Sequence, residues 1–242
     1  MAEKASLYGM SRFSALLISV SLVFSLLGGL CAPKALPVSS SESIPVTVVL
    51  DPGHGGEDGG ACTYGGLAEK ELNLLIAKEV YQMLSAVGIR AVMTRTEDVL
   101  LYDPNADHEG RKKSMDLAAR LKIARETPNA ILVSIHMNAF PESKYGGLQV
   151  YYSTEAEGSR ILAETVQGDN KTYLSPDNER LVKAAGKNIY LLDRFEGTGI
   201  LVECGFLSNP EDRERLNSPE YRHRLSALLF CSILKYLSGG GR

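Results

Sequence analysis

The order of hydrophobic and polar positions along the chain predicts strands and helices in alternation. Short, almost wholly apolar runs occupy residues 46–50, 89–93 and 130–135, and such runs are typical of strands buried on both faces of a parallel sheet. Apolar residues at helical spacing lie between them, over 69–87 and 112–126. This order is typical of a layered α/β fold.

Four further segments complete the predicted domain. Residues 147–152 and 199–203 are predicted strands, and residues 156–167 and 219–237 are predicted helices. The pattern weakens between residues 153 and 190, so the element boundaries there are the least defined. The last helix is amphipathic.

The N-terminal segment differs from the rest of the chain. Lys4 and Arg12 precede a mostly apolar run over 13–32, which is typical of an export signal or a single membrane anchor. The run has about the length that spans a bilayer, whereas the small residues near its end suit cleavage. Both interpretations stay open, and both place the protein outside the cytoplasmic membrane.

A linker separates this segment from the predicted domain. Residues 33–45 contain prolines and a run of three serines, which is typical of a flexible tether. We therefore assign 1–32 to a signal peptide or membrane anchor, 33–45 to a linker and 46–238 to the folded catalytic domain.

Composition narrows the choice of partners. With 26 Lys and Arg against 29 Asp and Glu, the chain offers no sequence-wide electrostatic case for binding nucleic acid. The four cysteines, Cys31, Cys62, Cys204 and Cys231, form no CxxC pair and show no metal-type spacing. Cys231 lies among leucines and is predicted to be a core residue, and a bridge between Cys62 and Cys204 stays open.

Three predicted strands end at or just before a residue that can bind a metal or move a proton. His54 follows the first strand, His136 follows the third, and Glu203 ends the last. Because ligands of open α/β sheets bind outside the carboxyl ends of the strands, we expect these residues to lie together. Either histidine alone is more typical of a structural residue, and the alternative for Glu203 is a salt bridge with Arg95 or Arg120.

Helical phase adds Glu69 to this group. At about 100° per residue, Glu69 falls within the arc of Leu72, Ile76 and Val80, whereas Glu71 points to the opposite side. A carboxylate on an apolar face is costly unless a cation or hydrogen bonds meet it. Metal binding explains this position better than the alternative, a first-turn acid that complements the helix dipole, which would suit Glu71 as well.

Two imidazoles and one carboxylate are typical of a catalytic zinc site, which keeps a fourth position open for water. We predict that His54, Glu69 and His136 bind Zn²⁺, which lowers the pKa of that water and polarises a carbonyl group. Glu203 is predicted to be the general base, because amide hydrolysis takes a proton from water and gives one to the leaving nitrogen. Asn138 is predicted to contact substrate, to orient a ligand or to form a turn.

Four segments resemble, in order and spacing, the signatures of the zinc-dependent N-acetylmuramoyl-L-alanine amidases of the bacterial cell wall, the type 3 amidases. They are LDPGHGG at 50–56, EKELNL at 69–74, SIHMNA at 134–139 and LVECGFLSN at 201–209. The resemblance covers roughly 46–238 and implies hydrolysis of the amide between the lactyl group of N-acetylmuramic acid and L-alanine in peptidoglycan. It also implies zinc ligands at His54, Glu69 and His136 and a catalytic glutamate at Glu203.

The fold of that family agrees with the pattern of elements. The resulting prediction is an α/β fold of three layers, in which a twisted, mostly parallel sheet lies between helices. The single short domain behind one apolar segment, with Arg111-Lys112-Lys113-Ser114 and the stretch 134–152, is similar to the germination-specific amidases of endospore formers. This narrower resemblance implies muramic lactam formation in the spore cortex, in functional pairing with a peptidoglycan deacetylase.

The resemblance also implies a location and a set of partners. The expected partner is peptidoglycan, through its glycan-linked stem peptide, with membrane contact through the N-terminal segment if that segment is uncleaved. The expected location is extracytoplasmic, secreted or membrane-anchored at the cell wall, and more narrowly the forespore or cortex side.

Two other functions remain as alternatives. A zinc peptidase acting within the stem would need a charged pocket for a free carboxylate, and Arg95, Arg120 or Arg180 is a candidate for it. A non-catalytic peptidoglycan-binding or activator protein on a decayed enzyme fold is the second alternative. Decay usually removes a ligand or the base, and all four groups are present in this chain.

Overall fold

Six strands form the centre of the structure. The computed structural model describes residues 45–61, 68–103, 105 and 109–240. The predicted signal or anchor, all but the last residue of the predicted linker, and Cys62 lie outside these residues. No helix in the described part of the chain has the length and apolar character needed to cross a membrane.

The sheet is mixed and mostly parallel. Its strands are β1 (Thr47–Pro52), β2 (Arg90–Met93), β3 (Ala130–Asn138), β4 (Gln149–Tyr152), β5 (Lys183–Ala184) and β6 (Gly199–Phe206). They lie in the order β2-β1-β3-β6-β4-β5. Strands β2, β1, β3 and β6 are parallel, while β4 runs antiparallel to β6 and parallel to β5.

Helices cover both faces of the sheet. They are α1 (Glu69–Ala86), α2 (Lys112–Glu126), α3 (Glu157–Tyr173), α4 (Tyr190–Arg194), α5 (Pro210–Asn217) and α6 (Pro219–Lys235), and a π-helical turn (Tyr236–Gly240) follows α6. Helices α1, α3 and α6 pack over the larger core on one face, and α2 and α4 over a smaller core on the other. The predicted three-layer α/β class is confirmed.

Alternation along β1 shows why this strand is apolar throughout. Val48 and Leu50 belong to the larger core, whereas Val49 belongs to the smaller one. Every residue of β1 is buried, as expected for a strand covered on both faces. The same alternation in β6 places Val202 in the larger core and Leu201 in the smaller, so Glu203 shares the face of the smaller core.

Two helices and one cysteine differ from the predictions, and the short elements β5 and α4 were not predicted. Helix α3 continues past residue 167 because its buried Asp169 accepts hydrogen bonds from Ser232 and Lys235 of α6. Helix α5 was not predicted, since Leu216 is its single large apolar residue, although its start has an Asn209 cap before a proline. The prediction that Cys231 is a core residue was wrong, because its side chain lies on the exposed face of α6.

Candidate functional site

His54 lies in the turn after β1 with a left-handed backbone, at a φ of 61°. A non-glycine residue there is strained, by about 1–3 kcal/mol, and persists only where neighbours hold it. Three side chains do so by donating to successive carbonyl oxygens of the turn. Arg95 donates to Pro52 and Gly53, Arg120 to Pro52 and His54, and Asn73 to Gly53, at 2.7–3.1 Å.

Two glycines allow the candidate ligands to approach one another. A Cβ on Gly53 would lie 2.1 Å from the His136 ring, and one on Gly60 would lie 2.4 Å from Glu69 Oε2. A side chain at either position would therefore displace a candidate ligand. Gly60 also has a φ of +66°, which disfavours other residues on backbone grounds.

Glu69 faces inward from the first turn of α1 and is only 3% exposed. Glu71 caps the helix instead, since its Oε2 accepts a hydrogen bond from Ala68 N at 2.8 Å. Glu69 Oε2 accepts from Ala61 N at 2.7 Å, and Oε1 accepts from Met137 N at 3.1 Å. The two first-turn acids therefore have different tasks, as their helical phase predicts.

Both histidines converge on the same oxygen of Glu69. His54 Nε2 lies 3.2 Å and His136 Nδ1 lies 3.0 Å from Glu69 Oε1. One donor atom from each of the three side chains lies within 4.8 Å of the others. The structure thus brings together the three residues predicted to bind metal.

The charges of this cluster favour an ionised carboxylate. Burial alone would raise the pKa of Glu69, but hydrogen bonds and charge from His136 and His54 hold it well below its usual range. For His54, burial would lower the pKa, yet Glu69 and Asp58 together raise it above the usual value. The cluster therefore favours negative charge on Glu69 and positive charge on His54.

Glu203 occupies the strand next to His136. The two residues are register partners across β3 and β6, and Glu203 Oε2 is buried without a hydrogen-bond partner in the described structure. Burial raises the pKa of Glu203 to about 7, the charge of Glu69 acts in the same direction, and His136 and His54 oppose it.

The alternative of a salt bridge from Glu203 to Arg95 or Arg120 was wrong. Arg95 directs its donors at backbone carbonyls, including Pro52 O at 2.9 Å. Arg120 pairs instead with Asp51 Oδ1 at 2.8 Å and with Asp116 Oδ2 at 2.7 Å.

A buried network beneath the turn was missed at the level of sequence. Asp51 accepts hydrogen bonds from Thr94, Ser134 and Arg120, at 2.6–2.8 Å. The Arg120 guanidinium opposes the effect of burial and lowers the pKa of Asp51. A signal was available in the sequence, because Asp51 follows three apolar residues of a buried strand and needs a cation.

A cavity of about 240 Å³ opens onto this centre from the side of α2 and α4. Its lining includes His54, His136 and Glu203, together with Lys113, Tyr190 and Leu201. A substrate group in this cavity would therefore contact both histidines and the unpartnered carboxyl.

The donor set fits a zinc ion. Two imidazole nitrogens and one ionised carboxylate oxygen are the ligands of a catalytic zinc site with an open position. The unpartnered oxygen of Glu203 lies beside this set without belonging to the three-residue cluster, as suits a proton carrier more than a ligand.

Comparison with known proteins identifies the family of this chain. The family model described as N-acetylmuramoyl-L-alanine amidase matches residues 48–235. The germination-specific N-acetylmuramoyl-L-alanine amidase of Bacillus subtilis (strain 168) is 34% identical over 210 residues, covering 86% of this chain and 85% of that protein.

Solved structures are similar over the same region. The CwlD amidase from Clostridioides difficile, in complex with the GerS lipoprotein, has a TM-score of 0.76 at 34% identity, covering 80% of this chain and 99% of that chain. The amidase AmiC2 of Nostoc punctiforme has a TM-score of 0.66 at 34% identity, covering 80% and 97%. The chain therefore belongs to the N-acetylmuramoyl-L-alanine amidase family, the enzymes that cleave the amide bond between N-acetylmuramic acid and L-alanine in peptidoglycan.

Proposed function

We propose that this amidase is zinc-dependent, that His54, Glu69 and His136 hold the ion, and that Glu203 moves the proton. One observation carries the proposal. Three donor atoms lie within 4.8 Å of one another beside a buried carboxyl whose Oε2 has no partner among the described residues.

Each of these side chains has a defined task. When bound, zinc supplies Lewis acidity for the amide carbonyl and for the attacking water. Glu69 stays ionised at neutral pH because its pKa is held low. Asp58 Oδ2 lies 3.0 Å from His54 Nδ1, at ion-pair distance without hydrogen-bond alignment. A carboxylate there favours the tautomer protonated on Nδ1, which leaves Nε2 free to bind metal.

Glu203 then carries the proton from water to the leaving nitrogen. Burial raises its pKa above the usual value, and a carboxyl whose pKa is raised toward neutral pH both accepts and donates a proton efficiently. The leaving nitrogen takes this proton and becomes the amino terminus of the stem peptide. Glu203 is therefore ionised again after one turnover.

Chelation and product analysis test this proposal. Purified muropeptides are incubated with the enzyme, with chelator-treated enzyme, and with treated enzyme after zinc is restored, and the products are weighed. We expect intact peptides that begin with L-alanine, lost on chelation and regained with zinc. Activity that survives complete metal removal would contradict the proposal.

Of the three arginines proposed for the peptidase alternative, Arg95 and Arg120 give it little support, whereas Arg180 has no ion-pair partner among the described residues. Arg120 is bound by two carboxylates, and Arg95 is bound by carbonyl oxygens, so neither is available for a free carboxylate. Shortened stem peptides among the products would nevertheless favour that alternative. The non-catalytic alternative conflicts with the presence of all four groups in one site.

We propose the spore cortex as the biological setting. The supporting observation is the relative of Bacillus subtilis, whose name describes a germination-specific amidase. Expression of this chain in a strain lacking that relative is expected to restore muramic lactam, whereas the Glu203→Gln variant is not. Restoration that also required a peptidoglycan deacetylase would support the predicted pairing, and failure of the active enzyme to restore muramic lactam would contradict the cortex role.

We propose that residues 1–32 deliver the catalytic domain, 46–238, across the cytoplasmic membrane, with 33–45 as the tether. Mass analysis of the exported protein distinguishes a cleaved signal from a retained anchor. Accumulation of the full chain in the cytoplasm would contradict both forms of this proposal.

A further inference from the structure

A second cavity, of about 290 Å³, flanks Glu203 on the β4 side of the sheet. We call it the cationic cavity, and its lining includes Asn138, Tyr145, Gln149, Tyr151, Arg180 and Lys183. In the part of the chain that the structure describes, two cations and no carboxylate line it. The cavity on the other side of Glu203 has a mixed lining, in which Asp51, Asp58 and Asp116 occur together with Lys113 and Arg120.

The cationic cavity adjoins the proposed reaction centre. Gln149 is the register partner of Glu203 on the neighbouring strand, so both residues share one face of the sheet. Asn138 follows His136 by two residues on β3. Burial raises the pKa of Tyr151, and the charges of Glu203 and Arg180 act on this phenol in opposite directions. Tyr151 is therefore close to both charged groups.

Arg180 is held in place but retains donor capacity. Its Nε donates to Gly146 O at 2.6 Å and its Nη1 to Gln149 Oε1 at 3.1 Å. The guanidinium lies 4.5 Å from the centroid of the Phe206 ring, a cation–π distance. Nη2 has no hydrogen-bond partner and the guanidinium has no ion-pair partner among the described residues. A preorganised arginine without a counter-ion is suited to a carboxylate from outside the protein.

Lys183 adds a second cation at the exposed sheet edge. It lies on β5, opposite Tyr151 of β4, and its side chain is exposed. No acidic partner of this lysine occurs within the described ranges. Arg180 and Lys183 thus present two positive charges toward one cavity.

We propose that the cationic cavity binds a carboxylate of the stem peptide beyond L-alanine, with Arg180 as the main contact and Lys183 as a weaker one. This inference rests on the proposed function. N-acetylmuramic acid has no free carboxylate once its lactyl group forms the scissile amide, whereas the stem beyond L-alanine carries free carboxylates. Charge complementarity therefore places the peptide side of the substrate on the β4 side of Glu203.

Two substrates and three variants test this inference. The substrates are muramoyl dipeptides that carry either a free carboxylate or a carboxamide on the residue after L-alanine. We expect Arg180→Gln to lower kcat/KM for the carboxylate substrate by roughly 10- to 100-fold, and for the carboxamide by less than about threefold. Lys183→Gln should lower kcat/KM for the carboxylate substrate by about two- to fivefold.

Arg160 supplies the matched control, because it is an exposed arginine on α3 that pairs with Glu164. Arg160→Gln should leave both values unchanged. Two results for Arg180→Gln would overturn the inference. One is an equal loss of kcat/KM on both substrates, because Arg180 would then only support Gln149 and Gly146. The other is no loss on either substrate.

A binding measurement separates this inference from the proposed function. The dipeptide product with a free carboxylate should bind to the Glu203→Gln protein more tightly than the dipeptide product with a carboxamide does. Adding Arg180→Gln to this protein should remove the difference in affinity. If Arg180→Gln does not fold, exposed Lys183→Gln decides the question by the same comparison. A wild-type enzyme that cleaved neither substrate would contradict the proposed function, whereas cleavage of both without preference in any variant would contradict only the inference.

Discussion

Asp51 is fully buried and Glu203 is partly buried with a buried Oε2, and the surroundings of these two carboxyl groups on one sheet are opposite. Asp51 accepts hydrogen bonds from Thr94, Ser134 and Arg120, and its pKa is lowered in spite of its burial. Glu203 has an unpartnered oxygen in the described structure and a pKa raised to about 7. A buried carboxylate that is fully paired stabilises the fold. An unpaired one lowers the stability of the fold, and such groups occur mostly at functional sites.

The strand geometry produces this difference. Asp51 pairs in register with Ser134 on β3, and α2 places Arg120 over it from the smaller-core face. Glu203 pairs with His136 on β3, beside an open cavity instead of a cation. The network around Asp51 fixes the turn that carries His54, whereas Glu203 remains available for substrate.

The largest expected effect concerns Glu203. We expect Glu203→Gln to lower kcat by about 10³-fold, within the usual range for loss of a general acid or base, because the amide cannot accept the proton. Thermal unfolding should show an intact fold. Turnover of the variant is measured on muropeptides, with the exposed Glu164→Gln as the control. Near wild-type turnover would assign the base to another residue.

A large effect on stability is expected at Arg120. Arg120→Met leaves Asp51 and Asp116 buried without their cation, and such a loss costs about 3–5 kcal/mol. Denaturant unfolding of the metal-free protein measures the change in the free energy of unfolding. Arg160→Met removes an exposed i,i+4 pair and should cost about 0.5 kcal/mol or less. Equal costs for the two variants would mean that the buried network is not a scaffold.

A smaller effect concerns the pH dependence of stability in the metal-free protein. Because the pKa of Glu203 rises from 4.5 in the unfolded chain to about 7 in the folded one, the folded state binds the proton more tightly between these values. The free energy of unfolding therefore falls as pH rises from 4.5 to 7. Full ionisation of Glu203 lowers it by about 2 kcal/mol, after allowance for the partial exposure of the side chain.

Glu203→Gln isolates this contribution. His54, whose pKa is raised, loses its own stabilisation as pH rises through its folded pKa, but it does so in both proteins. We expect the variant to be more stable than wild type at pH 8 and about equal to it at pH 4. A constant difference across this range would show that Glu203 does not titrate as its surroundings indicate.

The sequence predicts the elements whose periodicity is set by burial. Strand β1 and helix α1 follow from apolar runs, and the inward direction of Glu69 follows from its phase among Leu72 and Ile76. Helix α5 escapes prediction because its stability depends on capping and on one apolar residue. Elements that are stabilised by burying an apolar face are therefore predictable from periodicity, whereas a short helix that is stabilised by its cap is not.

The site is predictable in its members but not in their geometry. The strand ends identify His54, His136 and Glu203 as neighbours. Nothing in the sequence predicts that His54 takes a left-handed backbone, because that conformation depends on donors such as Arg120 that are distant along the chain. The Arg120 and Arg180 side chains look alike in sequence, and only tertiary contacts show that one is paired and the other is not.

The most direct test of the proposed site is the zinc content of two matched variants. Glu69→Gln and Glu203→Gln each replace one glutamate of the same site by its amide. Elemental analysis of the purified proteins, with wild type as reference, measures zinc per chain. We predict about one zinc per chain in wild type and Glu203→Gln, and a large loss in Glu69→Gln. Retention in Glu69→Gln with loss in Glu203→Gln would contradict the assignment of ligand and base.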